Sequence, residues 1–489
     1  MQTPSLGWPR VLDAYGPRAP VTGESGHFAG SGWGEPPVGV EIGRLPPLMK
    51  PARDSFGPRV LSRIGSRGSA DAEYRRAVAD NWHSIGLPPG ALSEIEAAGI
   101  VLPDLDVVRR YRLDRVRSRL RELDYAGIVL YDPVHIRYAS DTTNMSLWTA
   151  HNPCRYLWVG VEGPMILFDY GDAAFLAGHA RLVEEVRPAT QWMYELSGIE
   201  MERNLRRWSA ELASVVAEHG GGNRRVAIDR ASPDAIHALE GRGLELRNGG
   251  EVMEVARSVK SPEEITLMRA ATVVTDRSLD AMRAALEPGI AELELWAVLH
   301  SENVRRGGEW LETRLLSSGP RTNPWFQEAS ARVIEDGDLV AFDTDLIGPF
   351  GMCVDISRTW IAGDRPPNAH QLDVFGRAEE MIHHNIAMLR PGITFRELTF
   401  DTYVPDVEEF RHYTTQFHGV GMADEWPMIV YPDTWDQSGW DGVVEAGMVM
   451  CVESFVGRWG RGEGVKLEQQ VLVTDRGTEL LSGYPLGLR

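Results

Sequence analysis

Apolar residues recur every three to four positions through LDVVRRYRLDRVRSRLRELDY (105–125), the period of an amphipathic helix. This helix leads into a strand, AGIVLY (126–131). Further strand-like runs at RYLWVGV (155–161), PMILFDY (164–170) and RRVAID (224–229) alternate with helical stretches, above all MERNLRRWSAELASVVAEHG (201–220). This alternation predicts an α/β domain over 101–255. Helical periodicity also appears upstream, from Asp71 to Ala98.

A second domain, over 256–489, is expected to open at SPEE (261–264), where Ser261 can cap, Pro262 takes the first helical position and Glu264 completes a capping box. That helix should run to about Leu286, where Pro288 and Gly289 break it, and a second should cover about Ala291 to Arg305. Strands are predicted near 338–346, 351–360, 446–453 and 465–474, with a long helix at about 368–390. Residues 1–50 contain nine Gly and eight Pro. The region 1–100 therefore reads as an extended arm followed by a helical segment, not as a domain of its own.

Charge and composition narrow the class. The chain of 489 residues carries 50 Lys+Arg against 70 Asp+Glu, a formal net charge of −20, which argues against a nucleic-acid or anionic-membrane partner. No run approaches the ~18 consecutive apolar residues of a membrane span, and no leader pattern opens the sequence, so a cytoplasmic protein is expected. Cys154, Cys353 and Cys451 are far apart and form no C-x-x-C pair, so they predict neither a disulfide framework nor a zinc knuckle.

The chemistry lies in acids set within apolar strands. In DLVAFDTDLIGPFGMCVDISRTW (338–360), Asp343 and Asp345 are two apart and share a strand face, and a hairpin through Gly348, Pro349 and Gly351 can return Asp355 beside them. His418 lies in FHGVG, Glu453 in GMVMCVES and Glu468 in GVKLEQQVLV. Buried together, five carboxylates repel one another, and one imidazole cannot balance them. Two divalent ions can. Oxygen-rich ligation with one nitrogen suits Fe, Mn or Co better than structural zinc. The plain alternative is that these acids point into solvent from the outer faces of antiparallel strands.

The order Asp…Asp…HGxG…Glu…Glu, with SRTW, GMV and GVKLEQQVLVT around it, resembles the pita-bread fold of methionine aminopeptidases, prolidases and creatinases. DPVHIRYASDTTNM (132–145) resembles the creatinase and prolidase N-terminal domain. By position, that likeness places metal ligands on Asp355, His418, Glu453 and Glu468, plus an aspartate of the 343/345 pair. Two departures from the peptidases stand out. Asp343 and Asp345 lie twelve and ten residues before Asp355, where the peptidases place one aspartate eleven before, and HGVGMADEWP (418–427) has Asp424 where they carry a second histidine.

The altered pattern resembles the dimethylsulfoniopropionate lyase branch of this fold. That resemblance implies a two-metal site, with iron the expected metal, in which both Asp343 and Asp345 are ligands, and a homodimer that releases dimethyl sulfide and acrylate. It also implies Asp424 as catalytic base, Tyr413 as a pocket tyrosine and Trp148 as a tryptophan lent across the dimer. A sulfonium cation favours aromatic faces, for which Trp148, Tyr413 and Trp426 are candidates. The rival readings are an Xaa-Pro-type metallopeptidase on the same site and a metal-free scaffold protein.

Overall fold

A computed structural model describes residues 86–489 apart from 172, 461 and 489. The expected arm, and the helical segment as far as residue 85, lie outside the described residues. Within them, the helix Pro89–Ala97 covers the end of that segment.

Strands β1 (Gly127–Leu130), β2 (Tyr156–Gly160), β3 (Met165–Asp169), β4 (Val183–Pro188), β5 (Arg225–Ile228) and β6 (Glu245–Asn248) form one sheet in the order β4-β3-β2-β1-β5-β6. Every residue of β1, β2 and β3 is buried, Asp169 at the end of β3 included, so these strands are covered on both faces of the sheet. The helices Leu105–Glu122 and Gly249–Ser258 pack against each other on one face of this sheet, and Met201–His219 lies on the other. Asp104 starts the first of these helices by accepting the Asp106 amide at 2.9 Å.

The second half opens as the capping box predicts. Ser261 Oγ accepts the Glu264 amide at 3.2 Å and Glu264 Oε2 accepts the Ser261 amide at 3.1 Å, which starts the helix Pro262–Ala285. Beyond the helix Glu292–Arg305 come β7 (Trp310–Leu311), β8 (Leu316–Ser318), β9 (Leu339–Asp343), β10 (Leu346–Ile347), β11 (Cys353–Val354) and β12 (Ser357–Ile361). They make two small sheets, β12-β9-β8 and β11-β10-β7. The last sheet comprises β13 (Phe410–Arg411), β14 (Thr415–Val420), β15 (Asp424–Val430), β16 (Val449–Arg458), β17 (Gly464–Thr474) and β18 (Gly477–Leu480). Its order is β15-β14-β16-β17-β18, with β13 beside β16.

Alternation along the long strands gives this sheet two different faces. Met450, Val452 and Val456 of β16, with Val465, Leu467, Val471 and Val473 of β17, join a core completed by the helix Ala369–Met388. Glu453 of β16 and Lys466, Glu468 and Gln470 of β17 point the opposite way, towards β9 and β12. The stretch FHGVG (417–421) lies in β14 as far as Val420. Gly419 there closes against the backbone of Trp426, a contact that a Cβ would block. No helix among the described residues is long and apolar enough to cross a membrane.

Candidate metal centre

Glu453 and Glu468 are direct cross-strand partners on β16 and β17, and His418 of β14 lies opposite Cys451. Like charges opposite one another destabilise a sheet unless a cation intervenes. His418 Nε2 lies 3.5 Å from Asp355 Oδ2, 3.5 Å from Glu453 Oε1 and 3.4 Å from Glu468 Oε1. Its other nitrogen, Nδ1, is 3.1 Å from the Gly419 carbonyl. Donation there leaves the Nε2 lone pair, among the carboxylates, for a metal.

Asp343 ends β9, and its Oδ1 accepts the Ser357 hydroxyl at 2.8 Å. Asp345 follows in a left-handed conformation (φ 35°) and accepts the Thr313 hydroxyl. The Asp355 amide donates to Gln470 Oε1 at 3.1 Å, which fixes the residue between β11 and β12. All five acids and His418 are buried. Ligand atoms of Asp343, Asp345 and Asp355 fall within 4.8 Å of one another, as do those of Asp355, His418, Cys451 and Glu468. Asp355 therefore belongs to both groups, the position of a carboxylate shared by two ions.

These residues fit a pair of divalent ions on two observations. Asp355 Oδ1 and Glu468 Oε1 are buried with no hydrogen-bond partner, which a bound cation would supply. Burial and mutual repulsion also hold protons on the acids. Burial, followed by Glu468, pushes the Glu453 carboxyl up to about 7. Burial raises Asp343 to about 6 against the pull of Lys466, and burial with neighbouring carboxylates holds Asp345 and Asp355 well above the usual range. For Glu468 burial works in the same direction, but Lys466 and His418 outweigh it and draw its carboxyl well down.

The other predicted residues are spread around this cluster. Asp424 begins β15, 41% exposed, with Oδ1 3.8 Å from His418 Nδ1. The Tyr413 ring lies 4.8 Å from Lys466 Nζ and stacks on Phe326 at 5.1 Å. Trp426 packs in an aromatic trio, 5.6 Å from Phe395 and 5.3 Å from Trp440, on the side of the core that holds Phe395. Trp148, in the helix Ser146–His151, is 36% exposed and touches Tyr170 at 6.2 Å. The structure thus brings the five acids, His418, Asp424 and Tyr413 together, and leaves Trp426 and Trp148 among other partners.

Three groups at the centre escaped the sequence reading. Lys466 is fully buried among the acids, Ser357 bridges Asp343 and Glu468, and Phe326 covers Tyr413. The signal for Lys466 was present: it stands two before Glu468 and so shares its strand face.

Beside the metal centre, two neighbouring strands of charge connect the halves of the chain. Arg257 Nη2 lies 2.8 Å from Glu425 Oε2, Lys260 also pairs with Glu425, and Glu254 Oε2 accepts the Trp426 amide at 2.9 Å. Glu254 in turn meets His135 Nε2 at 3.5 Å, and His135 Nδ1 meets Asp229 at 3.0 Å. Asp424 therefore precedes two residues held from the helix Gly249–Ser258, Glu425 through Arg257 and Trp426 through Glu254.

The creatinase/prolidase N-terminal domain family matches residues 112–259 and metallopeptidase family M24 matches residues 266–475. The chain is 44% identical over 413 residues to a dimethylsulfoniopropionate lyase of Roseovarius nubinhibens, covering 83% of this chain and 92% of that protein. It is 41% identical to a dimethylsulfoniopropionate lyase of Roseobacter denitrificans, with the same two coverages. Among solved structures, an Xaa-Pro dipeptidase from Bacillus anthracis superposes with a TM-score of 0.63 at 23% identity, over 77% of this chain and 98% of that one. The prolidase from Pyrococcus horikoshii gives 0.61 at 21%, over 77% and 99%, and both likenesses speak for the fold alone. With its creatinase-like first domain and pita-bread second domain, the chain belongs to metallopeptidase family M24, in the branch of the dimethylsulfoniopropionate lyases.

Proposed function

We propose that this protein is a metal-dependent dimethylsulfoniopropionate lyase, releasing dimethyl sulfide and acrylate by base-promoted elimination at a dinuclear centre. The observation that carries the reading is the 44% identity to a lyase of that name across 92% of its length. The ligands in this reading are Asp343, Asp345, Asp355, His418, Glu453 and Glu468. A bound divalent pair supplies a Lewis acid for the substrate carboxylate, so that negative charge can develop on the carbon beside it.

Asp424 stands at the half-exposed edge of the cluster and takes the proton from that carbon. The electron pair of the C–H bond becomes the carbon–carbon double bond as the C–S pair leaves with sulfur, giving acrylate, neutral dimethyl sulfide and a protonated Asp424. Tyr413, with Phe326 beyond it, offers aromatic surface to the sulfonium cation. Iron is the proposed metal, on the resemblance to the dimethylsulfoniopropionate lyases, with Mn, Co or Zn as alternatives that the oxygen-rich donor set also accepts. A homodimer is proposed because Met145, Leu147 and Trp148 form an exposed apolar group on and beside one short helix. The three buried free cysteines favour a reducing compartment such as the cytoplasm.

Headspace detection of dimethyl sulfide from the metal-loaded protein given dimethylsulfoniopropionate tests the reading, run beside a proline-dipeptide assay. Dimethyl sulfide with no dipeptide cleavage is the expected result, and the reverse would refute the lyase. Asp424→Asn should keep metal and fold while turnover falls by ~10²–10⁴, the usual contribution of a general base. An undiminished rate in that variant would remove Asp424 from the chemistry.

A further inference from the structure

The Lys466 side chain is wholly buried, and its ammonium touches three of the acids. Nζ lies 2.6 Å from Glu453 Oε2, 3.1 Å from Glu468 Oε2 and 3.2 Å from Asp343 Oδ2, and donates to Ser357 Oγ at 2.5 Å. Glu453 and Glu468 each divide their oxygens in the same way, Oε2 to Lys466 and Oε1 to His418. The lysine thus stands behind the ligand cluster, on the far side of the two glutamates from the imidazole. It leaves one oxygen of each glutamate facing the space where His418 and Asp355 converge.

We infer that Lys466 is a resident counter-cation that keeps the ligand cluster folded before metal arrives and yields most of that role once metal is bound. The inference rests on reading the cluster as a metal site and not on the identity of the substrate. Without metal, the members of the five-acid cluster that give up their protons have only the ammonium and His418 to balance them, and the attraction to Lys466 is then at its largest. With metal bound, two divalent ions cancel four of the five carboxylate charges, so the ammonium faces a centre with one net negative charge and contributes correspondingly less. A group that stabilises the metal-free state more than the loaded state weakens metal affinity while protecting the empty protein. Lys466 accordingly trades binding strength for a site that does not fly apart when empty.

The test compares wild type, Lys466→Met and Lys466→Arg by calorimetric melting without metal and with manganese(II) or cobalt(II), together with calorimetric titration of the same ions. Lys466→Met should melt at a markedly lower temperature without metal and close to wild type with it, so its metal-induced rise is larger. Its dissociation constant for manganese(II) should tighten by about tenfold or more, since a nearby positive charge has gone. Lys466→Arg, which keeps the charge, should behave like wild type. Should Lys466→Met give no folded protein with or without metal, Lys466→Gln is read in the same way, since it keeps a hydrogen-bond donor and drops the charge. A variant that loses the same number of degrees in both states, with unchanged metal affinity, would reduce Lys466 to packing and overturn the inference. A wild type that neither binds nor is stabilised by either ion would overturn the metal reading itself, a result distinct from the first.

Discussion

Replacing Glu425 with alanine should destabilise the protein far more than its position on a short strand suggests. Its carboxylate is buried against Arg257, 2.8 Å away, and against Lys260. Arg257 keeps a second acid, Glu254, at 3.2 Å, whereas among the described residues Lys260 keeps the Ser258 carbonyl, at 3.1 Å, and no second acid. Glu425→Ala therefore strands a buried ammonium, and breaking a buried pair in this way costs about 3–5 kcal/mol. Over about 400 described residues, the unfolding entropy is roughly 0.8 kcal/mol/K, so the melting temperature should drop by about 4–6 °C. Scanning calorimetry of the metal-loaded protein measures this directly. The double variant Lys260→Met with Glu425→Leu removes both charges and should regain at least half of the loss, because replacing a buried pair by apolar side chains is often neutral. A single variant melting within about 1 °C of wild type, or a double variant no better than the single, would refute the argument.

Asp355→Ala and Glu468→Ala should each lose metal and lyase activity together, as elemental analysis beside the headspace assay would show; full metal content and turnover in both would place the shared ligand elsewhere. Tyr413→Ala should raise KM for dimethylsulfoniopropionate by the equivalent of ~0.5–2 kcal/mol with metal content unchanged, and an unaltered KM would take the ring out of the substrate site. Glu254 is held at about 2, below its ordinary 4.5, by His135 and Arg257 against the opposing effect of burial. A carboxyl lowered on folding stabilises fully above its unfolded value and loses that contribution as pH falls towards the folded one. Acid unfolding of Glu254→Gln should accordingly be flatter than wild type between pH 4.5 and 2, and superimposable curves would contradict the assignment.

Much of the second domain could be read in the sequence because its strands obey a period of two. Asp343, Glu453 and Glu468 interrupt apolar runs, so burial of those runs forces the acids inward whatever the detailed packing. The capping box at Ser261 was equally plain, since it depends only on four consecutive residues. Trp426 shows where this logic ends. Counting by two from Asp424 puts both on one face, but the β14–β15 pairing shifts register between His418 and Gly419, and the indole packs with Phe395 and Trp440 instead. Nothing in a linear pattern announces such a shift. Phe326 was hidden for a related reason: it stacks on Tyr413 from an irregular segment with φ of 74°, for which neither helical nor strand periodicity makes a statement.

Asp345 occupies a hinge between two ladders. Before it, β9 pairs with β12 in the sheet that also holds β8; after it, β10 pairs with β11 in a different sheet. Inside a strand, one added residue would turn every later side chain to the wrong face. Between two independent ladders, the same addition leaves both registers as they were and only presents a new side chain to the cavity. The centre can therefore gain or lose a ligand through a single-codon insertion or deletion without rebuilding its scaffold. A fold hospitable to such small edits offers natural selection a short path from one reaction to another.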